Sequence, residues 1–560
     1  MAFFRSSGIA LAIVAIASGC WRTDNQALND GDTDTGTGGD SDSDADSDGD
    51  SDGDTDSDSD TDTDTWPDPD TAPDGYGEIV ETCWVTVVDC TDYAHATDLV
   101  VLADGSSVLA GRFNESLTFD PGGSGETSLQ ETAGGSFLAR FDPDGGFMWV
   151  RQFEVEHIDD IAVDALDRVV VLGRYFGEGV LSAGAADEQA FEGNGECDLF
   201  LARYSPDGSI DWARQDGGDE DVRPTGLGVL ANGMYVVVGS FNSETTFGVG
   251  EEHETTIDTG LGTTLFIATY QEDGTVFWVR TDCDNGCNAG RDVAAHPTDG
   301  VFMITGHYYW QATFGIGSDN EVTLTASDYG GSDEYLDMGA VFFAAYDLMG
   351  DLLWVESAGS NATCHEAYGT ALSDGSFVAS GMYYGDLYFE YGQPDETQLS
   401  APVQETDGGY GLAPGMFAAR FGEGGDLAWA LGSDNSWGNN ATGTRAIPLE
   451  GGRFVIPGRF TGAVNFGLGD PAETWLVASN FGEPYGAVYD ENGDLVWVAR
   501  IGANWTDGGA VVAAGLGDGN FLMAGQFQGS VDFQVGPDEW ETYDAGEGSD
   551  VFLAKVCPQF

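Results

Sequence analysis

Positive charge is scarce in this 560-residue sequence, in which Lys and Arg together number 18 against 97 Asp and Glu. Lys555 is the one lysine, and the formal net charge is −79 at pH 7. Proteins that bind nucleic acids need clustered cations for their phosphate contacts, so this composition excludes that class. It also excludes docking on anionic lipid through a basic patch.

Long apolar runs and helical periodicity are missing as well. The longest apolar run, residues 8–17, is too short to span a bilayer as a helix. What the sequence does have is 83 glycines, 12% aromatic residues and 41% hydrophobic residues. This composition predicts many strands joined by tight turns around a substantial hydrophobic core.

The N-terminus has the form of an export signal, in which the apolar run ends at Ala17-Ser18-Gly19-Cys20. This ending resembles a bacterial lipobox. The resemblance implies a lipoprotein signal peptide over residues 1–19 and a diacylated Cys20 as the anchor and sole membrane contact. An ordinary signal peptide cut near Ser18 is the alternative. Trp21, standing where an Asp would retain the protein at the inner membrane, favours the bacterial outer membrane or cell surface.

Residues 20–76 are predicted to be a disordered acidic tether. They are rich in Asp, Ser, Thr and Gly, so they cannot bury much surface, and their charges repel one another. The segment from Asp44 imitates the start of a calcium loop, but Thr55 stands where a bidentate Glu would be needed. The folded domain is predicted over residues 77–560.

One pattern recurs along the domain: aromatic-x-Ala-x-aromatic, then a Gly, then a Trp twelve residues after the first aromatic. Its copies start at Phe137, Phe200, Phe266, Phe342, Phe417 and Tyr485 and end at Trp149, Trp212, Trp278, Trp354, Trp429 and Trp497. Strict alternation followed by a Gly-containing turn predicts a β-hairpin. Copies in register at this spacing indicate a repeat architecture.

A second pattern precedes each hairpin: an apolar run, Gly, any residue, and Phe or Tyr. It occurs at Gly111, Gly173, Gly239, Gly306, Gly381, Gly458 and Gly525. With one more apolar run upstream, each unit has four strands, named a to d here. The seventh unit lacks a Trp strand, which Trp84 at the front supplies. We predict an all-β, seven-bladed β-propeller of four-stranded antiparallel blades, closed by an N-terminal strand that completes the last blade.

Two cysteines flank this predicted closure. Cys83 precedes Trp84, and Cys557 follows strand c of the seventh unit. Alignment with the other c–d hairpins places them opposite each other, so we predict a Cys83–Cys557 disulfide. Cys283 and Cys287, in a d–a loop, are candidates for a local disulfide. Such cysteine use fits an exported, oxidising location, and it leaves Cys90, Cys197 and Cys364 unassigned.

The repeats resemble the SBBP-type β-propeller repeats of bacterial secreted proteins and lipoproteins. The segments that carry the resemblance are Gly525-Gln526-Phe527-Gln528-Gly529-Ser530-Val531-Asp532-Phe533 and Phe200-Leu201-Ala202-Arg203-Tyr204-Ser205-Pro206-Asp207-Gly208. The resemblance covers about residues 80–560 and implies the propeller fold. It implies no common catalytic residues, cofactor or ligand.

Candidate site residues are few. His95, His157 and His365 fall in predicted d–a loops, and Cys364 adjoins His365, but no pattern supplies the further ligands that zinc needs. A ring of acids near the starts of strand a, the innermost strand, could bind a cation at the channel mouth: Asp98, Asp160 and Asp292. Hydrogen bonding of turn backbone by Asp is the favoured alternative.

The basic residues recur at equivalent strand positions, which predicts structural ion pairs rather than a binding patch. Three such positions hold Arg112, Arg174 and Arg459; Arg140, Arg203, Arg420 and Lys555; and Arg151, Arg214 and Arg280. The b–c connections vary most between units and are long at residues 315–338 and 393–414. Long loops on one rigid face are where propellers bind partners.

The leading functional hypothesis is a lipid-anchored cell-envelope propeller that acts as a non-catalytic interaction module for a protein or glycan partner, without a cofactor. No catalytic motif is found, which argues against an enzyme. One alternative is an extracytoplasmic hydrolase or lyase that uses loop carboxylates with Ca²⁺ or another cation. The other is a structural subunit of an envelope complex.

Overall fold

The computed structural model describes residues 78–558, except 194, 219–220, 259–262, 282–286, 297, 299, 327–338, 361–363, 402, 407–408, 413, 436–438, 479–481 and 506. The predicted signal peptide, Cys20 and the predicted tether lie outside the described residues. The described chain is all-β, with one 3-10 turn at Glu450–Gly452. Among these residues no helix is long and apolar enough to cross a membrane.

Each repeat unit forms a four-stranded antiparallel group in the order a–b–c–d, as predicted. Strands are numbered along the chain. The first unit holds β2 (Ala94–Val101), β3 (Ser107–Phe119), β4 (Thr127–Phe141) and β5 (Phe147–Glu154). The second holds β6 (His157–Val163), β7 (Val169–Tyr175), β10 (Asp198–Tyr204) and β11 (Ile210–Gly218). The third holds β12 (Val222–Val229), β13 (Tyr235–Asn242), β16 (Thr263–Tyr270) and β17 (Val276–Arg280).

The later units repeat this order. The fourth holds β18 (Cys287–Ala295), β19 (Phe302–Tyr309), β22 (Gly339–Tyr346) and β23 (Leu352–Ser360). The fifth holds β24 (Cys364–Ala371), β25 (Phe377–Tyr383), β30 (Gly415–Phe421) and β31 (Leu427–Gly432). The sixth holds β33 (Asn440–Gly443) with β34 (Ile447–Pro448), β35 (Phe454–Thr461), β38 (Glu483–Tyr489) and β39 (Leu495–Arg500). The last holds β40 (Asp507–Gly515), β41 (Phe521–Gly536), β42 (Glu539–Val556) and β1 (Thr82–Cys90).

The b–c connections contain hairpins that the sequence analysis treated as loops. In the first and last units strands b and c themselves extend into the hairpin. In the second to sixth units the hairpins are formed by separate strands: β8 (Glu178–Leu181) with β9 (Gln189–Glu192), β14 (Thr245–Phe247) with β15 (Thr255–Ile257), β20 (Gln311–Phe314) with β21 (Val322–Thr325), β26 (Asp386–Phe389) with β27 (Thr397–Ser400), and β36 (Ala463–Phe466) with β37 (Thr474–Val477). Three pair with strand d of the preceding unit, through Phe153↔Leu181, Gly217↔Thr246 and Ala358↔Phe389. Short strands β28 (Val403–Thr406), β29 (Gly409–Leu412) and β32 (Asp434–Asn435) complete the set.

The two sequence patterns meet inside each unit, where the Gly of strand b lies under the first aromatic ring of strand c. A Cβ built on Gly111 would stand 2.4 Å from the Phe137 ring, and one on Gly173 would stand 2.6 Å from the Phe200 ring. The absence of a side chain on strand b therefore lets the ring lie flat against the backbone. Hydrophobic clusters then join adjacent units; one contains Val108 of the first unit and Ile158 of the second.

The repeated Trp of strand d links each unit to the next. Its indole Nε1–H donates to a carbonyl in the c–d hairpin of the following unit: Trp149 to Pro206 at 3.1 Å, Trp212 to Glu272 at 3.2 Å, Trp278 to Leu348 at 3.1 Å, Trp354 to Glu423 at 2.9 Å and Trp429 to Glu491 at 3.1 Å. Trp84 donates in the same way to Pro143 of the first unit, at 3.2 Å. One residue thus serves both the core and the junction between sheets.

The N-terminal strand β1 pairs with β42, the strand nearest the C-terminus, over Thr82↔Val556 to Val88↔Val551. The Cys83–Cys557 disulfide joins the two strands, which confirms that prediction. Cys90 and Cys197 are buried free thiols. Cys283 lies outside the described residues, as does the side chain of Cys287, so their candidate disulfide stays a prediction.

Candidate functional site

The three aspartates singled out in strand a converge on one guanidinium, that of Arg445 in the sixth unit. Arg445 Nη2 lies 2.6 Å from Asp292 Oδ1 and 3.0 Å from Asp160 Oδ2, and its Nη1 lies 3.9 Å from Asp98 Oδ2. Asp160 and Asp292 are buried, whereas Arg445 keeps 31% of its side chain exposed. Innermost strands of four units therefore meet here, in what we call the axial cluster (Asp98, Asp160, Asp292 and Arg445).

Each of these carboxylates also accepts a backbone N–H from strand a of the next unit. Asp98 accepts from Ile161 at 3.0 Å, Asp160 from Leu227 at 2.8 Å and Asp292 from Gly369 at 2.9 Å. The favoured alternative, backbone hydrogen bonding, is therefore correct in kind, although the partner is the neighbouring strand rather than the local turn. The positive charge beside them is an arginine of the chain, where the other hypothesis expected a bound cation.

Burial governs the electrostatics of the axial cluster. Desolvation raises the pKa of Asp160 to about 8, although Arg445 pulls it down, and it also raises the pKa of Asp292. Burial alone would lower the pKa of Arg445, but the three carboxylates outweigh it and hold that pKa well above its usual value. Three acids against one cation favour retention of a proton on Asp160 near neutral pH.

Arg445 escaped the sequence analysis, although a signal was present. It stands thirteen residues before Gly458, as Asp98 stands before Gly111 and Asp160 before Gly173. One repeat position thus carries an acid in two units and a base in a third.

A second polar layer surrounds the starts of strand a in the first two units. The rings of His95 and His157 lie 6.1 Å apart, and Arg174 pairs with the buried Asp159. Desolvation, aided by Arg112 and Arg174, lowers the pKa of His95 to about 4 and that of His157 to about 3. Both imidazoles are therefore neutral at pH 7. The side chains of Cys364 and His365 lie outside the described residues.

Seven of the ten repeated basic residues form ion pairs, as predicted. The other three, Arg151, Arg280 and Arg459, donate to backbone carbonyls instead. Arg112 pairs with Glu156 at 3.6 Å, and Lys555 pairs with Asp518 at 3.6 Å. Arg151, Arg214 and Arg280 lie over Trp rings of their own strands, with Cζ 4.9 to 5.8 Å from the ring centroid. In the described part of the chain, each of the ten repeated basic residues thus has a structural partner.

Carboxylates in the b–c hairpins close their own turns. Glu126 accepts the N–H of Gly122, and the same contact across four residues recurs at Glu188, Glu254, Glu321, Glu396 and Glu473. In the c–d hairpins Asp490 accepts the N–H groups of Asn492 and Asp494. These turn carboxylates are thus satisfied by backbone N–H groups, and no group of three or more metal-ligating side chains exists among the described residues.

The tips of the b–c hairpins expose apolar side chains at one repeat position, ten residues after the Gly of strand b. Val249 is 73% exposed, Ile316 52%, Tyr391 39% and Leu468 65%. These tips belong to the third to sixth units in succession. The long connections at 315–338 and 393–414 lie in the same stretch, and their residues 327–338, 402, 407–408 and 413 are outside the described part of the chain.

Trp310 is the most exposed large apolar residue of this surface. It is 75% exposed and adopts φ +66°, at a repeat position where Gly177, Gly385 and Gly462 have φ of 65° to 68°. A left-handed backbone costs a non-Gly residue about 1–2 kcal/mol. Glu115 and Ser243 adopt φ 62° and 67° at the same repeat position. The exposure of the indole, rather than the backbone conformation, therefore distinguishes Trp310. The hairpin surface, defined as Trp310 with the four tip residues, is the best-formed contact surface of the described chain.

Comparisons with known proteins agree on little beyond the architecture. No family model matches the chain. It is 30% identical over 145 residues to an uncharacterized WD repeat-containing protein of Acanthamoeba polyphaga mimivirus, covering 24% of this chain and 10% of that protein. Two solved structures each cover 85% of the chain at TM-score 0.36: a protein of unknown function from Dyadobacter fermentans (10% identity, 98% of that chain) and the Dos1 propeller (9%, 95%). The fold and surfaces define a repeat protein of four-stranded antiparallel sheets.

Proposed function

We propose that this chain is a lipid-anchored protein of the bacterial outer membrane or cell surface whose domain is a closed, seven-bladed β-propeller of the SBBP type. It acts as a non-catalytic binding module for a protein or glycan partner. The pairing of β1 with β42 and the Trp contacts between consecutive units support the ring. The lipobox-like Cys20 supports the anchor, which is the only membrane contact in this proposal.

The observation that carries the binding role is Trp310. Exposed Trp and Tyr side chains supply most of the energy where a protein binds another protein, and an indole face also stacks on sugar rings. Apolar tips on consecutive units give the partner several contacts at the repeat spacing, so each contact can be weak.

A binding role also accounts for the carboxylates better than catalysis does. Those of the axial cluster bind Arg445 and backbone N–H groups, and those of the hairpins close turns. A general acid or a metal ligand needs a carboxylate that can reach a substrate or an ion. The carboxylates of these two sets are already committed to the fold.

Capture experiments with the full chain test this proposal. Wild type, Trp310→Ala and Trp540→Ala are immobilised and exposed to detergent-solubilised envelope proteins and to a glycan panel. Trp540 is 45% exposed on the last unit, outside the hairpin surface, and serves as the matched control. We expect one defined ligand to be retained by wild type and by the control and lost by Trp310→Ala. Equal retention by all three would remove the hairpin surface as the binding site.

The anchor is tested separately by mass spectrometry of the N-terminal peptide. A diacylglyceryl modification on Cys20 is expected, together with release of the protein from membranes when Cys20 is changed to Ala. A mature chain that starts before Cys20 or carries no lipid would contradict the anchoring proposal. It would not affect the binding proposal, which the capture experiments test.

A further inference from the structure

The junctions between neighbouring units form repeated clefts on the side of the c–d hairpins. Each cleft is walled by the Trp of strand d and by the residue opposite it on strand c. That cross-strand partner is Arg140 for Trp149, Arg203 for Trp212 and Arg420 for Trp429. Because the register is the same in each unit, the clefts can be compared position by position.

In these three clefts the arginine spans the gap to the next unit. Arg140 donates to the Pro206 carbonyl at 2.5 Å, and Arg420 donates to the Glu491 carbonyl. Arg203 donates to the Glu272 carbonyl at 2.7 Å with its Cζ 5.5 Å from the Trp212 ring centroid. The same carbonyls accept the Trp Nε1–H groups, so guanidinium and indole fill each cleft together.

The cleft between the fourth and fifth units lacks this arginine. The residue opposite Trp354 is Ala345, while the rest of the arrangement is kept, including the 2.9 Å bond from Trp354 Nε1 to the Glu423 carbonyl. A cavity of about 460 Å³ remains, lined by His296, Val301, Leu353, Trp354, Gly375, Phe377, Glu423 and Gly424. Where the partner of Trp84 is the slimmer Lys555, a smaller cavity of about 290 Å³ remains. Two further clefts lack the arginine, because the partner of Trp278 is Thr269 and that of Trp497 is Val488. At Trp278, however, Arg280 on the same strand donates to the Gly350 carbonyl of the next unit. The cavity at Trp354 lies where neither of these two positions holds an arginine.

The charge of this cleft is also incomplete. In the cleft between the second and third units, the hairpin residue Glu272 pairs with Arg168 at 2.8 Å and with Arg203 at 3.8 Å. Glu423 occupies the position of Glu272 in the fourth cleft, where Val301 and Ala345 replace the two arginines. Among the described residues Glu423 forms no ion pair, and it is exposed beside the cavity.

We propose that the cleft between the fourth and fifth units, here the open cleft, binds an arginine side chain of a partner protein. The stem would pack on Trp354 and Leu353, and the guanidinium would bind the Glu423 carboxylate, as Arg203 does with Glu272 in the cleft between the second and third units. Leu353 is 44% exposed at the rim, which gives the partner an apolar contact. A chain with 97 acids and 18 bases draws basic partners electrostatically. This site is independent of the hairpin surface.

The test uses the full chain and N-acetyl-L-arginine amide as probe, followed by saturation-transfer NMR at 150 mM salt. The uncharged isostere N-acetyl-L-citrulline amide and N-acetyl-L-lysine amide are compared under the same conditions. We expect saturation transfer to the arginine probe well above that to either analogue, since only the guanidinium combines a positive charge with a planar donor fork. Equal saturation transfer to the lysine probe would mean that the acidic surface attracts any cation without recognising a guanidinium. That result would overturn the proposal.

Two variants locate the signal. Ala345→Arg supplies the missing side chain, so binding should weaken by about tenfold or more because the cleft fills itself. Glu423→Gln keeps the shape of an exposed side chain and removes its charge, and it should also weaken binding, which covers the case in which Ala345→Arg fails to fold. Glu539→Gln, an exposed acid remote in the repeat, is the matched control. Unchanged binding in Ala345→Arg or Glu423→Gln would refute the open cleft as the site.

Discussion

The guanidinium of Arg445 is shared by carboxylates from three other units. Its contribution to stability depends on how deeply those carboxylates are buried. Asp160 and Asp292 expose 2% and 1% of their side chains. A buried ion pair contributes little relative to apolar packing, but removal of one partner leaves the other charge uncompensated at a cost of about 3–5 kcal/mol. The cluster therefore specifies which units meet at the axis more than it adds stability.

Arg445→Met tests this at the residue scale. The thioether chain keeps the volume of the stem and removes the charge, so we expect a loss of about 3–5 kcal/mol in the free energy of unfolding by urea. Arg223→Met is the matched control, because Arg223 is 44% exposed and pairs with Asp221 at the surface; its loss should stay below about 1 kcal/mol. Similar losses of unfolding free energy in the two variants would show that the ion pairs of Arg445 contribute no more than those of an exposed arginine.

The pH dependence of stability follows from groups whose pKa values burial has moved. The folded protein holds the pKa of Asp159 at about 7, of Asp160 at about 8 and of Asp216 at about 7, all by desolvation. From about pH 5 to about pH 8 the folded state thus retains protons that the unfolded chain has released, and stability falls as pH rises. Below pH 6.5 the lowered pKa values of His95 and His157 reduce the gain in stability as the pH falls, because these histidines bind protons in the unfolded chain before they do so in the folded protein.

Urea denaturation at steps of half a pH unit from 5 to 8.5 measures this. We expect the free energy of unfolding to decline from pH 5 and to flatten towards pH 8, where these carboxyls ionise in the folded protein as well. Asp159→Asn removes one of the raised groups, so its decline should be shallower than that of wild type. A stability that rises between pH 6.5 and 8.5 would contradict the assigned directions of the pKa shifts.

At the scale of the element, the four strands of each unit could be predicted because both sequence patterns are packing rules. The Gly of strand b makes room for an aromatic ring on strand c, and the Trp of strand d reaches the next hairpin. The b–c hairpins were not predicted as strands, although an apolar residue such as Phe119 or Leu181 recurred in each. Their pairing partner is strand d of another unit, which local alternation does not reveal.

Only part of the axial cluster could be predicted, because the sequence does not reveal which units face each other. The three aspartates were recognised because they stand near the starts of strand a. Arg445 was not, since its role depends on which units face each other across the axis. The open cleft was missed too, because Ala345 becomes informative only when register places it where Arg140, Arg203 and Arg420 stand.

A pair of Gly→Ala variants tests the packing rule of strand b. A Cβ on Gly111 would lie 2.4 Å from the Phe137 ring and 2.6 Å from the His95 carbonyl, so Gly111→Ala should lower the free energy of unfolding by about 1–3 kcal/mol. Gly517 has no atom within 4 Å of such a Cβ and does not need a positive φ. Gly517→Ala should be neutral or stabilise by up to about 1 kcal/mol. If Gly111→Ala and Gly517→Ala change the thermal midpoint equally, the Phe137 ring does not pack tightly against Gly111.

At the scale of the whole molecule, the N-terminal segment contacts three units at once. Val80 N–H donates to the Arg500 carbonyl of the sixth unit at 3.0 Å, β1 pairs with β42 of the last, and Trp84 donates to the first. The Cys83–Cys557 disulfide lies at the end of β1 nearest the predicted tether. Tension applied through that tether would meet the covalent bond before it could peel the strand from its neighbour.

Cys83→Ser with Cys557→Ser removes this bond while keeping β1 and its hydrogen bonds. A disulfide that closes a 474-residue separation restricts the unfolded chain strongly, and a loss of about 2–4 kcal/mol is expected. Because strand ends open first, amide exchange should accelerate in β1 and the paired part of β42, while strands of the third unit keep the wild-type rate. Wild type treated with a reducing agent should match the variant. Uniform acceleration in all units would mean that the disulfide holds the whole fold, and unchanged exchange in β1 would mean that strand pairing and Trp84 suffice without it.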